Sequence, residues 1–135
     1  MNWHLVTYAD ENFVEQQKYL HQIHKEGFVH HPFNRKQLES TKFYKDHKKI
    51  LDQEKGAGWW LWKPYYILEV LKKSKTNDFI IYSDCGDMFS HGLKPYIENT
   101  LNDNDISLLL LGNAKNGHMT KRDCCLLYTS DAADE

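Results

Sequence analysis

Residues 79–87 read FIIYSDCGD, a run of apolar and aromatic residues followed by a polar turn that carries two carboxylates. The compact stretch Phe79–Tyr82 predicts a buried strand, and Asn77 and Asp78 predict the turn that leads into it. In an open α/β sheet, ligands bind just beyond the carboxyl ends of the strands. The stretch therefore predicts a strand whose carboxyl end carries the functional groups of the protein.

Outward from this strand, predicted strands and helices alternate along the chain. Strands are expected at His4–Ala9, Phe28–Val29 and Ile106–Leu111, with a break in the pattern at His30–Phe33. Helices are expected from an N-cap at Asp10 to about Glu26, with Gly27 following, over Arg35–Gln53 as one or two helices, from Pro64 onward, and over Leu93–Leu101. This alternation favours a Rossmann-like, layered α/β fold with a mainly parallel sheet.

Length, charge and composition exclude several classes of protein. The chain has 135 residues, of which 41% are hydrophobic and 27% are charged, as expected for a single folded domain rather than a disordered chain. A net charge of −2 argues against a nucleic-acid binder that works by phosphate neutralisation. No apolar run reaches the roughly 20 residues of a membrane helix. Residues Met1–Tyr8 have no basic region followed by an apolar stretch, so a secretory signal is not expected. We expect a soluble, cytoplasmic protein.

The last eleven residues, 125–135, read CLLYTSDAADE and resemble the translation of a transposase adapter used to build sequencing libraries. Residues 1–124 are then expected to be native and residues 125–135 to be a non-native tail. The sheet is expected to be incomplete at its C-terminus. We also expect the chain as given to be inactive, because the acceptor half of the site and any catalytic base would be missing.

Asp84 and Asp87 both follow the strand that ends at Tyr82, and Gly86 between them lets the backbone approach a ligand closely. Two carboxylates at such an edge suit a hard divalent cation, which prefers oxygen ligands. A cation there can bridge phosphate oxygens and take up charge as a phosphate leaving group departs. The alternative is a plain turn, since Asp and Gly are common turn formers.

Three blocks in order resemble one enzyme family. They are Gly56-x-Gly58-Trp59-Trp60-x-Trp62-Lys63-Pro64, then Tyr82-Ser83-Asp84-Cys85-Gly86, then Thr120-Lys121-Arg122-Asp123. The pattern is similar to that of nucleotide-sugar-dependent glycosyltransferases of the GT-A fold, found in bacterial and viral polysaccharide biosynthesis. The resemblance covers about residues 3 to 124 and implies transfer of a sugar from a nucleotide-sugar donor to a glycan or other acceptor.

The resemblance also implies a metal. Asp84 would be the carboxylate of a DxD-type motif that holds Mn or Mg against the diphosphate of the donor. This sequence departs from a strict DxD because Gly86 stands where the second Asp would be, and Asp87 lies one position further on. Whether Asp87 is the second metal ligand is therefore left open by the pattern.

Further donor-binding residues are implied by the same resemblance. The first strand, around Thr7, Tyr8 and Ala9, would line the nucleotide pocket. Lys63 would contact the diphosphate, and Trp62 would shape the donor site.

Two other functions stay open on the sequence. One is an aspartate-dependent phosphohydrolase, which needs a second Asp where this chain has Gly86. The other is a non-catalytic nucleotide- or sugar-binding module.

Histidines and a cysteine form weaker candidates. His21, His24 and the pair His30–His31 could bind zinc, but no further ligand lies at a convincing spacing, and solvated histidines are the preferred interpretation. Cys85 lies between the candidate acids, where a small strand-end residue is preferred over a catalytic thiol because no activating base is evident.

Two stretches are rich in lysine, Lys42–Lys55 and Lys72–Lys75. In the first, the lysines alternate with acids, and the second closes a predicted helix with the charge sign that suits a helix C-terminus. Solvated faces are the preferred interpretation. Peripheral association with anionic membrane surfaces is the alternative.

Overall fold

The structure, a computed structural model, describes residues 1–87, 89 and 93–101. Within those ranges the strands are β1 (Trp3–Ala9), β2 (Val29–Asn34) and β3 (Phe79–Tyr82). The helices are α1 (Val14–Ile23), α2 (Arg35–Glu39), α3 (Lys42–Leu51), α4 (Gly56–Trp59), α5 (Trp62–Leu71) and α6 (Leu93–Thr100). Helix α6 belongs to a second compact unit, residues 90–135, and the other elements belong to residues 1–89.

The three described strands form one open, parallel sheet in the order β2–β1–β3. Strand β1 is central: Tyr8 aligns with Phe33 of β2, and Leu5 aligns with Ile81 of β3. Parallel strands need helical crossovers, which α1 supplies between β1 and β2 and the helices α2 to α5 supply before β3. The expectation of an α/β fold with a parallel sheet is therefore confirmed for the described residues.

Strand β1 is buried on both faces. Leu5, Val6 and Thr7 are consecutive and completely buried, although successive side chains point to opposite sides of the sheet. Helix α1 covers the face of Thr7, where Gln17 and His21 bond to its hydroxyl. Helix α5 covers the opposite face, which carries Val6 and Tyr8. A strand covered on both faces matches the continuous apolar sequence that predicts it.

Stacked aromatic rings form the core between the sheet and α5. The ring centroids of Tyr8 and Trp62 lie 3.9 Å apart, and those of Phe33 and Tyr66 also lie 3.9 Å apart. The core residues of this side are Val6, Tyr8, Leu38, Tyr44, Leu51, Trp62, Tyr66 and Val70. Each stacked pair contributes about 0.5 to 1.5 kcal/mol beyond the burial of its apolar area. These contacts fix α5, and with it the residues at its N-terminus, against β1.

The charged stretch after β2 folds as two helices, which settles the open choice between one and two. Asn34 caps α2: its side chain accepts the Gln37 N–H, and Gln37 returns the bond to the Asn34 N–H. Thr41 caps α3 by accepting the Tyr44 N–H. Arg35 links the two helices, because it donates to the Leu51 carbonyl and pairs with Glu39 of α2 and with Asp52, the C-cap of α3.

Strand β2 is longer than the sequence predicts. It runs through His30, His31 and Pro32, where a break in the pattern was expected, so that expectation is wrong. Among the described strands β2 pairs only with β1, which leaves one of its sides without a described partner. Proline cannot donate a ladder hydrogen bond, so Pro32 is tolerated at such an edge position.

The ends of α1 also differ from the expected ones. Asp10 accepts the Asn12 N–H in a turn, and the N-cap residue is Phe13, so Asp10 as N-cap is wrong. The helix ends at Ile23 instead of continuing to about Glu26. Gly27, with φ of 80°, lies in the loop that follows, where its freedom to adopt a left-handed conformation is needed.

The predictions for β3 and α6 are close to the observed bounds, and Pro95 lies in the first turn of α6 as expected. Helix α5 begins two residues before Pro64, which is then the third helical residue and still within the tolerated first turn. The strand predicted at Ile106–Leu111 lies outside the described residues. None of the described helices is long and apolar enough to cross a membrane.

Five consecutive residues, Gly56 to Trp60, have positive φ values between 49° and 103° and form a left-handed turn that contains α4. Three of them are not glycine, and each such residue costs about 1–2 kcal/mol in this conformation. Gly58 packs directly on α3: a Cβ there would lie 2.6 Å from the Leu51 Cα. The turn therefore depends on the absence of a side chain at Gly58.

We predict that Gly58→Ala destabilises the chain by about 2–3 kcal/mol, because the new methyl group meets backbone that cannot move aside and φ is +103°. Urea unfolding followed by circular dichroism measures this change. Gly86→Ala is the matched control, since nothing lies within 4 Å of a Cβ at Gly86. Equal stability of the two variants would contradict the role assigned to Gly58.

Candidate functional site

The sheet topology places the carboxyl ends of β1 and β3 side by side, and we call this edge of the sheet the crevice. The chain leaves β1 through α1, on one face, to reach β2, and α5, on the opposite face, leads into β3 on the other side of β1. In open α/β sheets such a reversal of strand order is the place where ligands bind. The residues at this point are the ends of β1 and β3 and the N-terminus of α5.

Asp84 lies at this edge, two residues after the end of β3, and its side chain is 56% exposed. The Tyr82 hydroxyl donates to Asp84 Oδ1 at 2.7 Å. Lys63 Nζ lies 3.1 Å from Asp84 Oδ1 and 3.3 Å from Oδ2. The carboxylate is thus held by a phenol and by an ammonium group from another element.

Lys63 is brought to Asp84 by the first turn of α5. Its ammonium nitrogen also lies 4.7 Å above the Tyr82 ring and 5.9 Å from the Trp62 ring centroid. A cation over an aromatic face is attracted by the ring quadrupole. Two residues that the resemblance assigns to one donor site, 21 positions apart in the chain, therefore meet in the structure.

Tyr8 and Trp62 form the floor behind this pair. Their rings are stacked with an interplanar angle of 17°, and both residues are buried. The Trp62 indole N–H donates to the Gly56 carbonyl at 3.1 Å, which ties the left-handed turn to α5. Ala9, also buried, ends β1 beside Tyr8. The indole therefore reaches no further hydrogen-bond partner through its nitrogen.

The side chains of Thr7 and Tyr8 lie on opposite faces of β1. The Thr7 hydroxyl lies on the α1 face, accepts from Gln17 Nε2 at 2.9 Å and bonds to His21 Nε2 at 2.8 Å. The side chain is completely buried. Of the three β1 residues assigned to the nucleotide pocket, the structure therefore places the Thr7 side chain on the face opposite Trp62.

Asp87 follows Asp84 through a turn in which the Asp87 N–H donates to the Asp84 carbonyl at 3.0 Å. Both residues are exposed. Within residues 1–87, 89 and 93–101, no three His, Cys, Asp or Glu side chains are grouped in a way that could hold a metal ion. A cation here would rely on one or two carboxylates, with further oxygen ligands from phosphate and water, as Mg²⁺ commonly does.

Burial alters the acidity of two groups beside Asp84. Burial, reinforced by the Asp84 carboxylate, raises the pKa of the Cys85 thiol to about 11, and this thiol bonds to the Tyr8 carbonyl at 3.1 Å. Burial and the hydrogen bond to Asp84 raise the pKa of Tyr82 above its usual value. At neutral pH both groups stay protonated. Cys85 is therefore a buried strand-end residue and lacks the thiolate that nucleophilic catalysis requires.

Of the four histidines expected to be solvated, His24 is buried and the other three are half-buried and contact other rings. His21 Nδ1 lies 2.5 Å from His30 Nδ1 on the α1 face, and His24 is buried against the Phe89 ring. On the opposite face His4 Nδ1 lies 2.9 Å from His31 Nε2. Because β2 includes His30 and His31, the ring of His30 packs against α1 and the ring of His31 packs against β1.

The lysine-rich stretches carry local ion pairs, as a solvated face would. Lys42 pairs with Asp46, Lys48 with Asp52, and Lys72 with Glu69. Pairs of this kind on an exposed helix contribute about 0.3–0.5 kcal/mol each. Membrane association stays a prediction.

Two contacts of the site were missed by the sequence analysis. The bond from Tyr82 to Asp84 joins the last residue of β3 to the turn after it, and no strand periodicity extends that far. The bond from Cys85 to the Tyr8 carbonyl required the register between β1 and β3, which no local signal contains.

Comparison of the chain with family models, with curated proteins and with solved structures found no match.

We predict that acid weakens the fold through His21. Burial, together with the nearby His30, lowers the pKa of His21 from 6.5 to about 4. Between these two pH values the unfolded chain binds more protons than the folded one, so stability falls as the pH drops from 6.5 towards 4. Urea midpoints across this window measure the effect.

The variant His21→Gln should flatten that pH dependence, because the titrating ring is gone. His47→Gln is the matched control, since His47 lies on the exposed surface of α3 and its removal should leave the slope as it is in the original chain. An unchanged slope in His21→Gln would contradict the assignment.

Proposed function

We propose that this chain is the nucleotide-sugar-binding part of a glycosyltransferase of the GT-A type, which transfers a sugar to a glycan or other acceptor. The single observation that carries the proposal is the contact between Lys63 and Asp84 at the crevice between β1 and β3. This is the position where open α/β sheets bind ligands. The resemblance of the two sequence blocks that contain these residues supports the same assignment.

The proposed roles follow from the charge of the reaction. A sugar donor leaves as a nucleoside diphosphate, which gains negative charge in the transition state. Lys63 supplies a positive charge that can turn from Asp84 to the phosphates, and a unit pair near a protein surface at about 4 Å interacts with roughly 4 kcal/mol. Stabilisation applied only in the transition state accelerates the step about tenfold for every 1.4 kcal/mol.

A divalent cation, Mn or Mg, would be held by Asp84, with Asp87 as the second carboxylate. Exposed carboxylates at a strand end fit a hard cation that keeps water and phosphate among its ligands. When bound, the cation would supply positive charge that offsets the negative charge of the leaving group. The Tyr82 hydroxyl, which donates to Asp84 Oδ1, leaves Oδ2 as the oxygen that only Lys63 contacts among the described residues.

The stacked pair of Tyr8 and Trp62 supports the donor site from below. Both rings are buried and stacked on each other, so they hold the end of β1 and the start of α5 rigidly in place beneath the site. We assign them to shaping the pocket rather than to charge stabilisation. Ala9, at the end of the buried strand, has no side chain large enough to block the approach of a ligand to the backbone.

We predict that a nucleoside diphosphate with Mn²⁺ binds the chain, and that Asp84→Asn and Lys63→Met each weaken binding at least tenfold. A lost charge-assisted hydrogen bond costs about 1.5–3 kcal/mol, which corresponds to this range. Isothermal titration calorimetry with uridine and guanosine diphosphate, each with Mn²⁺ or with EDTA, measures binding and its metal dependence.

Asp46→Asn is the matched control, because Asp46 is an exposed carboxylate paired with Lys42 far from the crevice residues in the chain. It should bind as the original chain does. Absence of binding by the original chain, or equal binding by Asp84→Asn, would overturn the proposal. Binding that ignores the metal would favour a non-catalytic module, and hydrolysis of a generic phosphate ester would favour a phosphohydrolase.

A further inference from the structure

The carboxylate of Asp84 has both of its oxygens engaged by other side chains of the chain. The Tyr82 hydroxyl donates to Oδ1 at 2.7 Å. The ammonium nitrogen of Lys63 lies 3.1 Å from Oδ1 and 3.3 Å from Oδ2. Lys63 therefore contacts the same two atoms that the proposed function assigns to a divalent cation.

Lys63 and a divalent cation compete for this carboxylate. Mg²⁺ binds carboxylate oxygens directly, at about 2.1 Å, so a cation on Asp84 would meet the ammonium group at close range. Like charges repel at such distances, and more strongly near a protein surface than in bulk water. Lys63 therefore has to leave Asp84 before the carboxylate can hold a cation well.

The contacts of Lys63 allow it to leave. Its side chain is 32% exposed, and among the described residues Asp84 is the only carboxylate that pairs with it. Its other close neighbours are the rings of Tyr82 and Trp62, at 4.7 Å and 5.9 Å from the ammonium nitrogen. Because lysine carries its charge on a flexible four-carbon stem, the nitrogen can turn to another anion while α5 stays in place.

Tyr82, in contrast, stays where it is. Its ring packs against the core between the sheet and α5, so its hydroxyl keeps hold of Asp84 Oδ1. When Lys63 leaves, Oδ2 loses the one hydrogen-bond partner that it has among the described residues. The carboxylate is then still oriented by Tyr82 and presents Oδ2 to a cation.

We propose that Lys63 is an internal counter-ion of Asp84 that makes the binding of the cation depend on the binding of the diphosphate. As long as no phosphate is within its reach, Lys63 stays on Asp84 and competes with the cation. A diphosphate offers Lys63 another anion, and the move of Lys63 to that anion frees Asp84. This inference rests on the proposed function and adds that the two ligands bind strongly only together.

The coupling is reciprocal, because an energetic coupling between two ligands changes both affinities by the same factor. Removal of the Lys63 charge should therefore act in opposite directions on two measurements. Binding of the cation alone should become tighter, since its competitor is gone, and binding of the diphosphate should become weaker. A purely structural role of Lys63 would weaken both.

The test compares the ¹⁵N-labelled 135-residue chain with its variant Lys63→Met. In the first titration, Mg²⁺ is added alone and the amides of Gly86 and Asp87 are followed. The variant should bind Mg²⁺ about threefold more tightly, within the range of up to about fivefold that one exposed ion pair contributes. In the second, uridine or guanosine diphosphate is added at saturating Mg²⁺, and the variant should bind about tenfold more weakly or worse.

Two further variants serve as controls. Lys18→Met makes the same change in net charge at an exposed lysine of α1, which pairs with Glu15 at 2.7 Å, and it should leave both affinities as they are in the original chain. Lys63→Arg keeps the positive charge and can pair with a carboxylate through two N–H groups. It should show no gain in Mg²⁺ affinity.

Three results would overturn the inference. They are an Mg²⁺ affinity that Lys63→Met leaves unchanged or lowers, an equal gain of Mg²⁺ affinity in Lys18→Met, and a diphosphate affinity that Lys63→Met leaves unchanged. The proposed function is tested by a separate measurement, the binding of the diphosphate to the original chain. Absence of that binding would overturn the proposed function and this inference with it, whereas the three results above overturn the inference alone.

Discussion

The burial of β1 on both faces and its pairing on both sides is the constraint on which the rest of the structure depends. A strand enclosed in this way cannot shift its register without moving an entire set of side chains to the wrong face. Its carboxyl end is therefore a fixed point. Tyr8 uses that fixed position twice, because its ring supports Trp62 and its carbonyl accepts the Cys85 thiol that follows β3.

The left-handed turn before α5 is held in place by the packing of α3 and α5 around it. Its three non-glycine residues with positive φ would cost about 1–2 kcal/mol each. Strain of this size persists only where the surroundings determine it, and here they do: Gly58 packs on the Leu51 backbone, and the Trp62 indole bonds to the Gly56 carbonyl. The turn fixes where α5 starts, and so it fixes Lys63 at the crevice.

Local patterns in the sequence predicted the elements that bury apolar side chains. The apolar runs of β1 and β3 and the helix after the tryptophan block were recognisable because their periodicity reflects burial. Strand β2 was predicted only at its start, Phe28–Val29, since its histidines and Pro32 are typical of a loop, and only pairing with β1 makes them a strand. The resemblance assigned Lys63 and Asp84 to one donor site, but their direct contact was not predicted. The contact between His4 and His31 joins two strands and has no local signal in the sequence.

The pair of Lys63 and Asp84 contributes little to the fold. Its side chains are 32% and 56% exposed, and ion pairs of this kind contribute about 0–1 kcal/mol to stability. The core rings behind it would stay packed without it, because their contacts are with Tyr8 and Phe33. A fold that gains so little from two charges has no structural need to place them at its crevice. In the proposed function, a diphosphate with its cation would present both of the signs that this pair can meet.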